Sequence, residues 1–350
     1  MALSKGTTVG TPRIFVSFIQ WARAIGLPIS YSQQGLNFGN DNPSLSPLFD
    51  MNPVKTTSFA TFDSTETTYA INVGINNQAL GGDGNSVIQR ILATTNYFAV
   101  LGLETTNTCT FTLQGLDSTE AVSSVDNAGQ SAYAPIDAAY GNGGYLIDTM
   151  DGSFEGINGN QGYAIGLNTN PNTVVSIGSF DIGRHFTFDH GADLNVTVDY
   201  DYSGISKQRT LGGSDVVNVQ YYKQPNWGNF APWTTNPAFN YASRTGRRVW
   251  KMKFSYMDHE NMFPGNMNED FMVNQDIGDD NELLSEWSEN TDNFVSNFIT
   301  MTMGGQIPFI FQPDKTKDQF ALCRLNQSGF SLNQVSTNVW DVTMNFVETW

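Results

Sequence analysis

The run NVTVDYDY, Asn195 to Tyr202, alternates without a fault. Val196, Val198, Tyr200 and Tyr202 fall on one parity, and Asn195, Thr197, Asp199 and Asp201 on the other. An extended strand, whose successive side chains point to opposite faces, is the conformation that uses such a pattern. Shorter β-rich runs recur along the chain before it: TTYAINVGI, NYFAVLGLE, CTFTLQGL and NTVVSIGSFDIG, each cut off by Gly, Asn, Asp or Pro. Punctuation this regular predicts a β-sandwich or jelly roll over residues 61–243. Within it, the Gly-, Ala- and Asn-rich stretch Asp126–Gln161 is expected to be an exposed loop.

The flanks read differently. In segment 1–60 a small, polar arm precedes Pro12 and RIFVSFIQWARAIGL. There Ile14, Phe15, Phe18, Ile19, Ala22 and Ile25 fit a short helix, and Arg13–Phe18 fits a strand equally well. Ser30–Pro53 has few periodic positions and predicts an extended excursion. Segment 244–350 opens on a basic cluster, Arg244, Arg247, Arg248, Lys251 and Lys253. Next, Trp250, Met252, Phe254 and Tyr256 alternate with Lys251, Lys253 and Ser255, a strand with one buried and one wet face. Leu283, Leu284, Trp287, Phe294, Val295, Phe298 and Ile299 recur at helical spacing, with Gly304 and Gly305 as the stop. Ile307–Phe311 and Phe320–Leu325 read as two strands joined by a proline and aspartate turn, and Val339–Trp350 as a closing strand. On that last strand Glu348 alone interrupts an otherwise apolar face.

Chemistry is sparse. The three histidines, His185, His190 and His259, match no metal-ligand spacing, and DYDYSG, Asp199–Gly204, begins like a calcium loop but has Thr210 where the closing glutamate would stand. There is no nucleophile elbow, phosphate loop or dinucleotide fingerprint, so neither catalysis, a metal nor a cofactor is expected. Cys109 and Cys323 sit far apart in apolar runs and read as buried small hydrophobes. With 34 Asp and Glu against 17 Lys and Arg, the net charge of −17 repels nucleic acid and anionic lipid. No stretch is apolar enough to span a membrane, and the opening MALSKGTTVGTPRIF has no apolar export core, so synthesis inside the cell is expected. The aromatic loop Tyr221–Trp233 offers Trp227, Phe230 and Trp233 as planes for a sugar ring or a partner.

The stretches GRRVWKMKFSYM (Gly246–Met257), TMGGQIPFIFQPD (Thr302–Asp314), FALCRL (Phe320–Leu325) and VWDVTMNFVETW (Val339–Trp350) together resemble the closing domain of distal and minor tail proteins of tailed bacteriophages. NYFAVLGLE (Asn96–Glu104), IGSFDIGRHFTF (Ile177–Phe188) and TLGGSDV (Thr210–Val216) are similar to runs in phage structural proteins. The resemblance implies a mainly β fold in which a split tail-ring domain, 1–60 and 244–350, carries an inserted jelly-roll or galectin-like sandwich. It implies a non-enzymatic virion protein of the tail tip or baseplate, assembled in the host cytoplasm. Copies would form a ring, a hexamer, around the DNA channel and join the tail tube to baseplate or fibre proteins. Trp250, Phe309, Phe311, Pro313, Trp340, Phe346 and Trp350 would then face adjacent copies. A carbohydrate-binding module for host-surface glycan, contacting it through Trp227, Phe230 and Trp233, and a capsid decoration protein are the alternatives.

Overall fold

A computed structural model describes residues 10–34, 36–37, 44–53, 55–61, 69–75, 95–105, 109–116, 143–147, 162–169, 173–202, 206–217, 247–263, 293–316, 320–327 and 329–349. The fold is mainly β, built from antiparallel sheets. In chain order the strands are β1 (Arg13–Ser17), β2 (Ile29–Gln34), β3 (Leu36–Asn37), β4 (Thr57–Thr61), β5 (Tyr69–Ile75), β6 (Tyr97–Thr105) and β7 (Cys109–Leu116). They continue with β8 (Gly143–Ile147), β9 (Gly162–Thr169), β10 (Val174–Ile177), β11 (Ser179–Thr187), β12 (Thr197–Asp201), β13 (Lys207–Arg209) and β14 (Asp215–Val217). The last five are β15 (Arg247–Asp258), β16 (Phe309–Gln312), β17 (Ala321–Leu325), β18 (Leu332–Ser336) and β19 (Val339–Glu348). Among the described residues two short α-helices, α1 (Phe18–Ala24) and α2 (His259–Met262), and a π-helical turn, Val295–Thr300, accompany the strands.

One sheet of 13 strands runs β12-β15-β19-β17-β16-β1-β11-β6-β10-β4-β3, with β18 added on β19 and β8 on β6. A four-stranded sheet, β2-β5-β9-β7, lies apart from it, as does the hairpin β13-β14. The large sheet threads all three sequence segments. β1 bonds to β11 on one side and β16 on the other, and β12 bonds to β15. The boundaries at 60/61 and 243/244 therefore divide the sequence, while hydrogen-bonded ladders join the pieces.

Strand parity sorts the interior. Ile14, Val16, Phe98, Val100, Phe180, Ile182, Phe309 and Phe311 fall on one face, in a core shared with Ile71, Val73, Phe111 and Tyr163 of the four-stranded sheet. Sheet packs on sheet there: the Phe111 and Phe180 rings meet edge to face at 5.8 Å, and the Thr95 and Tyr163 hydroxyls share a 2.9 Å hydrogen bond. At the other end the same face is covered by the π-helical turn, with Phe298 against Phe309 at 5.0 Å and Phe188 stacked on Phe254 at 4.2 Å. The opposite parity, Phe15, Tyr97, Ala99, Leu101, Ile310 and Leu322, forms a second small core with Met51 and Phe320. The centre of the sheet is thus buried on both faces. Packing at β1 and β11 is close enough that a Cβ on Gly183 would lie 1.9 Å from the Val16 carbonyl oxygen.

Both readings of RIFVSFIQWARAIGL are realised in succession: β1 ends at Ser17, whose hydroxyl caps α1 by accepting from the Gln20 N–H at 3.3 Å. The excursion Ser30–Pro53 contains two strands and a 3-10 turn, Ser46–Phe49, that plugs Leu48 and Phe49 into the main core. Gly143–Ile147, expected in a loop, adds a strand to β6. The helix expected from Leu283 is described from Phe294 onward; Leu283, Leu284 and Trp287 lie outside the described residues. It stops where expected, with Gly304 and Gly305 at φ +69° and +79°.

Candidate assembly surface

The residues expected to face other copies are placed very differently from one another. Trp250 is 3% exposed, and Phe309, Phe311 and Phe346 are fully enclosed within the single chain. Phe311 meets Phe346 at 4.8 Å and Trp250 at 5.5 Å, both edge to face. That expectation is corrected for these four: their alternation is that of strands lining this chain's own core, and they have no surface left to offer a neighbour. Trp340 is half-buried, donating its indole N–H to His259 Nδ1 at 3.0 Å and packing on Phe263 at 4.9 Å. Pro313 is half-buried in the β16–β17 turn. Trp350, Trp227, Phe230 and Trp233 lie outside the described residues.

Exposed apolar side chains gather elsewhere. β12 is the edge of the large sheet, bonded to β15 on one side, and among the described residues no strand pairs with its other edge. Val198, Tyr200 and Tyr202, the apolar parity of the most regular run in the sequence, stand 43%, 56% and 46% exposed. Leu194, just ahead of β12, is fully exposed. An open strand edge with aromatic side chains is a template for another chain, which proteins normally hide or charge.

Beyond β12 the hairpin β13-β14 stands in solvent, every residue from Ser206 to Asp215 exposed. Its turn is nevertheless hydrogen-bonded: the Thr210 N–H donates to the Ser214 carbonyl at 2.8 Å, the Gly213 N–H to Thr210 O at 2.9 Å, and the Ser214 N–H to Thr210 Oγ1 at 3.1 Å. At the apex Leu211 is completely exposed. Lys207 Nζ and Asp215 Oδ2 pair at 2.8 Å across the arm. Two cations, Lys207 and Arg209, against one carboxylate, Asp215, make residues 206–217 net positive on a chain of net charge −17.

Behind this edge the sheet is clamped by an ion pair whose two members the sequence pattern marks only as separate residues. Glu348 is buried, its Oε1 accepting from Arg248 Nη2 at 2.7 Å and its Oε2 from Arg248 Nε at 3.0 Å. The Arg248 backbone N–H also donates to Oε2 at 3.0 Å. Burial works against the guanidinium's charge, but the Glu348 carboxylate outweighs it and holds the Arg248 pKa above its ordinary value. The guanidinium lies 4.9 Å over the Trp250 ring. Burial, with Glu348 adding, pushes the Cys323 thiol well up, so this cysteine is an inert core residue.

Among the described residues no three His, Cys, Asp or Glu side chains gather to hold a metal, and no helix is long and apolar enough to cross a membrane. His190 Nδ1 lies 2.7 Å from the Gly191 carbonyl, a local loop contact, and Asp193 accepts from Ser255 Oγ on β15 at 2.7 Å, tying the loop to that strand.

No protein-family model and no curated protein matches the chain. Among solved structures it is similar to CpGH89CBM32-6 produced by Clostridium perfringens, at 9% identity over 45% of this chain and 93% of that one, with a TM-score of 0.23. A likeness that loose carries no argument about this chain's fold or activity.

Proposed function

We propose that the chain is a non-enzymatic structural subunit of a phage tail tip or baseplate, whose copies join side by side in a ring around the DNA channel. The observation that carries the assembly is the open edge of β12, with Val198, Tyr200 and Tyr202 in solvent and a positively charged arm following it in the chain. The occupant of this surface is a second copy, because a net-positive arm complements the acidic body of its own chain. Two β12 strands pairing with each other are disfavoured. Antiparallel registers centred on Asp199 or Tyr200 set carboxylate against carboxylate, which Lys251, 2.8 Å from Asp199, only partly offsets. The edge therefore meets a different surface of its neighbour, and a head-to-tail contact of that kind builds closed rings when its rotation closes. Acidic side chains turned toward the channel would keep passing DNA from adhering. The tail placement itself rests on the resemblance of the strand-and-turn runs.

Leu211→Asp combined with Tyr200→Ser is the test. Since neither side chain is buried, the monomer's melting temperature should hold. Self-association measured by sedimentation should weaken about 30-fold or more, the equivalent of one anchor residue of ~2 kcal/mol. A wild-type protein that stays monomeric at high concentration would remove the ring, and assembly untouched by the double substitution would move the interface elsewhere.

A further inference from the structure

The alternation along β15 predicts that Tyr256 points inward with Trp250, Met252 and Phe254. It does the opposite. Between Phe254 and Met257 the register against β19 slips: Phe254 pairs with Val342 and Met257 with Trp340, so β15 carries one more residue than its partner. Ser255 is covered, its hydroxyl bonded to Asp193, and Tyr256 is left 77% exposed at φ +64°. The left-handed region is a genuine outlier for a bulky residue, and glycine or asparagine would make this bulge at lower cost. The backbone is held there by Asp341, whose Oδ1 accepts the Tyr256 N–H at 3.2 Å. Nothing in the core uses the Tyr256 ring. A strained, exposed aromatic side chain points to a role for the ring itself.

The groups around it are polar, fixed and locally balanced. Lys253 Nζ pairs with Asp341 Oδ2 at 2.6 Å. The hydrogen bond to Asp341 raises the Lys253 pKa, and Asp193 and the Tyr256 phenol lie near enough to act on it as well. Asp193 is anchored by its own N–H to the Lys253 carbonyl at 2.8 Å and accepts from Ser255 Oγ at 2.7 Å. One ammonium and two carboxylates thus cluster on β15 next to Tyr256, tied to Lys253, Ser255 and the Tyr256 N–H. The Lys253 charge is already matched by Asp341, so an anionic ligand meets no free cation here, on a chain of net charge −17. What such a surface complements is a neutral molecule with an apolar face and a hydroxylated edge.

We propose that Tyr256, rimmed by Lys253, Asp341 and Asp193, is a stacking platform for the C–H face of a neutral pyranose sugar. The ring supplies the apolar contact, the Lys253 ammonium donates to ring hydroxyls, and the carboxylates of Asp193 and Asp341 accept from them. This site is separate from the aromatic loop at Trp227 and stands independently of ring assembly.

Saturation-transfer NMR on the full chain tests it, using glucose, galactose, mannose and N-acetylglucosamine at millimolar concentration, with glucuronate as the anionic comparator. Transfer to the sugar C–H protons is expected for at least one neutral sugar and not for glucuronate. Tyr256→Phe should keep it. Tyr256→Gly should abolish it while holding the melting temperature level or raising it by about 1 °C, because glycine relieves the backbone, its greater unfolded-state freedom offsets part of that gain, and no core contact is lost. Four results overturn the proposal: no transfer from the wild type, transfer that survives Tyr256→Gly, glucuronate as the preferred probe, or a fall in melting temperature, which would make Tyr256 a structural residue. Loss of self-association in Tyr256→Gly without any sugar signal would likewise overturn it, in favour of a protein contact.

Discussion

Replacing Arg248 with methionine should destabilise the chain by about 3 kcal/mol, the lower end of the range for breaking a buried ion pair. The penalty arises from what remains. Glu348 is 2% exposed and keeps only the Arg248 backbone N–H as donor, so its carboxylate is left in an apolar sheet with most of its charge uncompensated. Arg248 is itself 21% exposed, which puts the expected value at the low end. Methionine preserves the packing over Trp250 but supplies no charge. In thermal unfolding the shift should be about 4 °C downward for a chain of this length. The double variant Arg248→Met with Glu348→Leu should recover most of the loss, since it removes the orphaned charge together with its partner. If the single variant melts with the wild type, the clamp is ornamental, and the closing strand is held by Val342, Met344 and Phe346 alone.

That pair shows where sequence reasoning reaches and where it stops. Alternation identifies Val339–Trp350 as a strand and singles out Glu348 as the one interruption of its apolar face. It also marks Arg248, but as part of a basic boundary. The two residues are 100 positions apart, and their pairing depends on β15 and β19 lying side by side, which nearest-neighbour patterns do not encode. The hairpin β16–β17 and the glycine stop before it are legible for the opposite reason: turn chemistry and strand parity are local. Parity says which residues share a face but not what covers it. The same rule that makes Asn195–Tyr202 the clearest strand also suggests that its apolar side is covered, and that side is exposed at the sheet edge. Conversely, Trp250, Phe309, Phe311 and Phe346 read as surface for a neighbour and are internal. Tyr256 departs from its pattern through a single inserted residue, because a one-residue slip exchanges the two faces of a strand from that point on. The sugar platform is therefore invisible in the sequence, where Tyr256 looks like one more core aromatic.

The second core predicts an unusual pH response. Asp181 lies on β11 within that apolar layer, fully buried, and accepts a 2.7 Å hydrogen bond from the Tyr97 hydroxyl. Burial is the dominant influence and raises its pKa to about 6; hydrogen bonds from Ser17, Tyr97 and the Ile182 backbone oppose the shift without cancelling it. A carboxylic acid whose folded pKa exceeds its unfolded value favours folding below the unfolded value, and that contribution disappears as pH rises through the folded one. Between about pH 4 and pH 6 this residue alone should therefore cost the fold on the order of 3 kcal/mol, from two units at ~1.4 kcal/mol each. Most paired carboxylates act in the reverse direction, so the effect is best read as a difference. Asp181→Asn keeps the shape and an acceptor for Tyr97 but removes the titration. Relative to wild type the variant should gain nothing at pH 4, gain progressively to about pH 6, and hold a constant advantage of about 3 kcal/mol at pH 8 in chemical denaturation. An advantage independent of pH would mean that Asp181 is already neutral or already ionised across the whole range. A loss at pH 8 would mean that its charge is used by a group facing this core, and the strongest candidate for that group is Tyr97, whose hydroxyl the carboxylate holds.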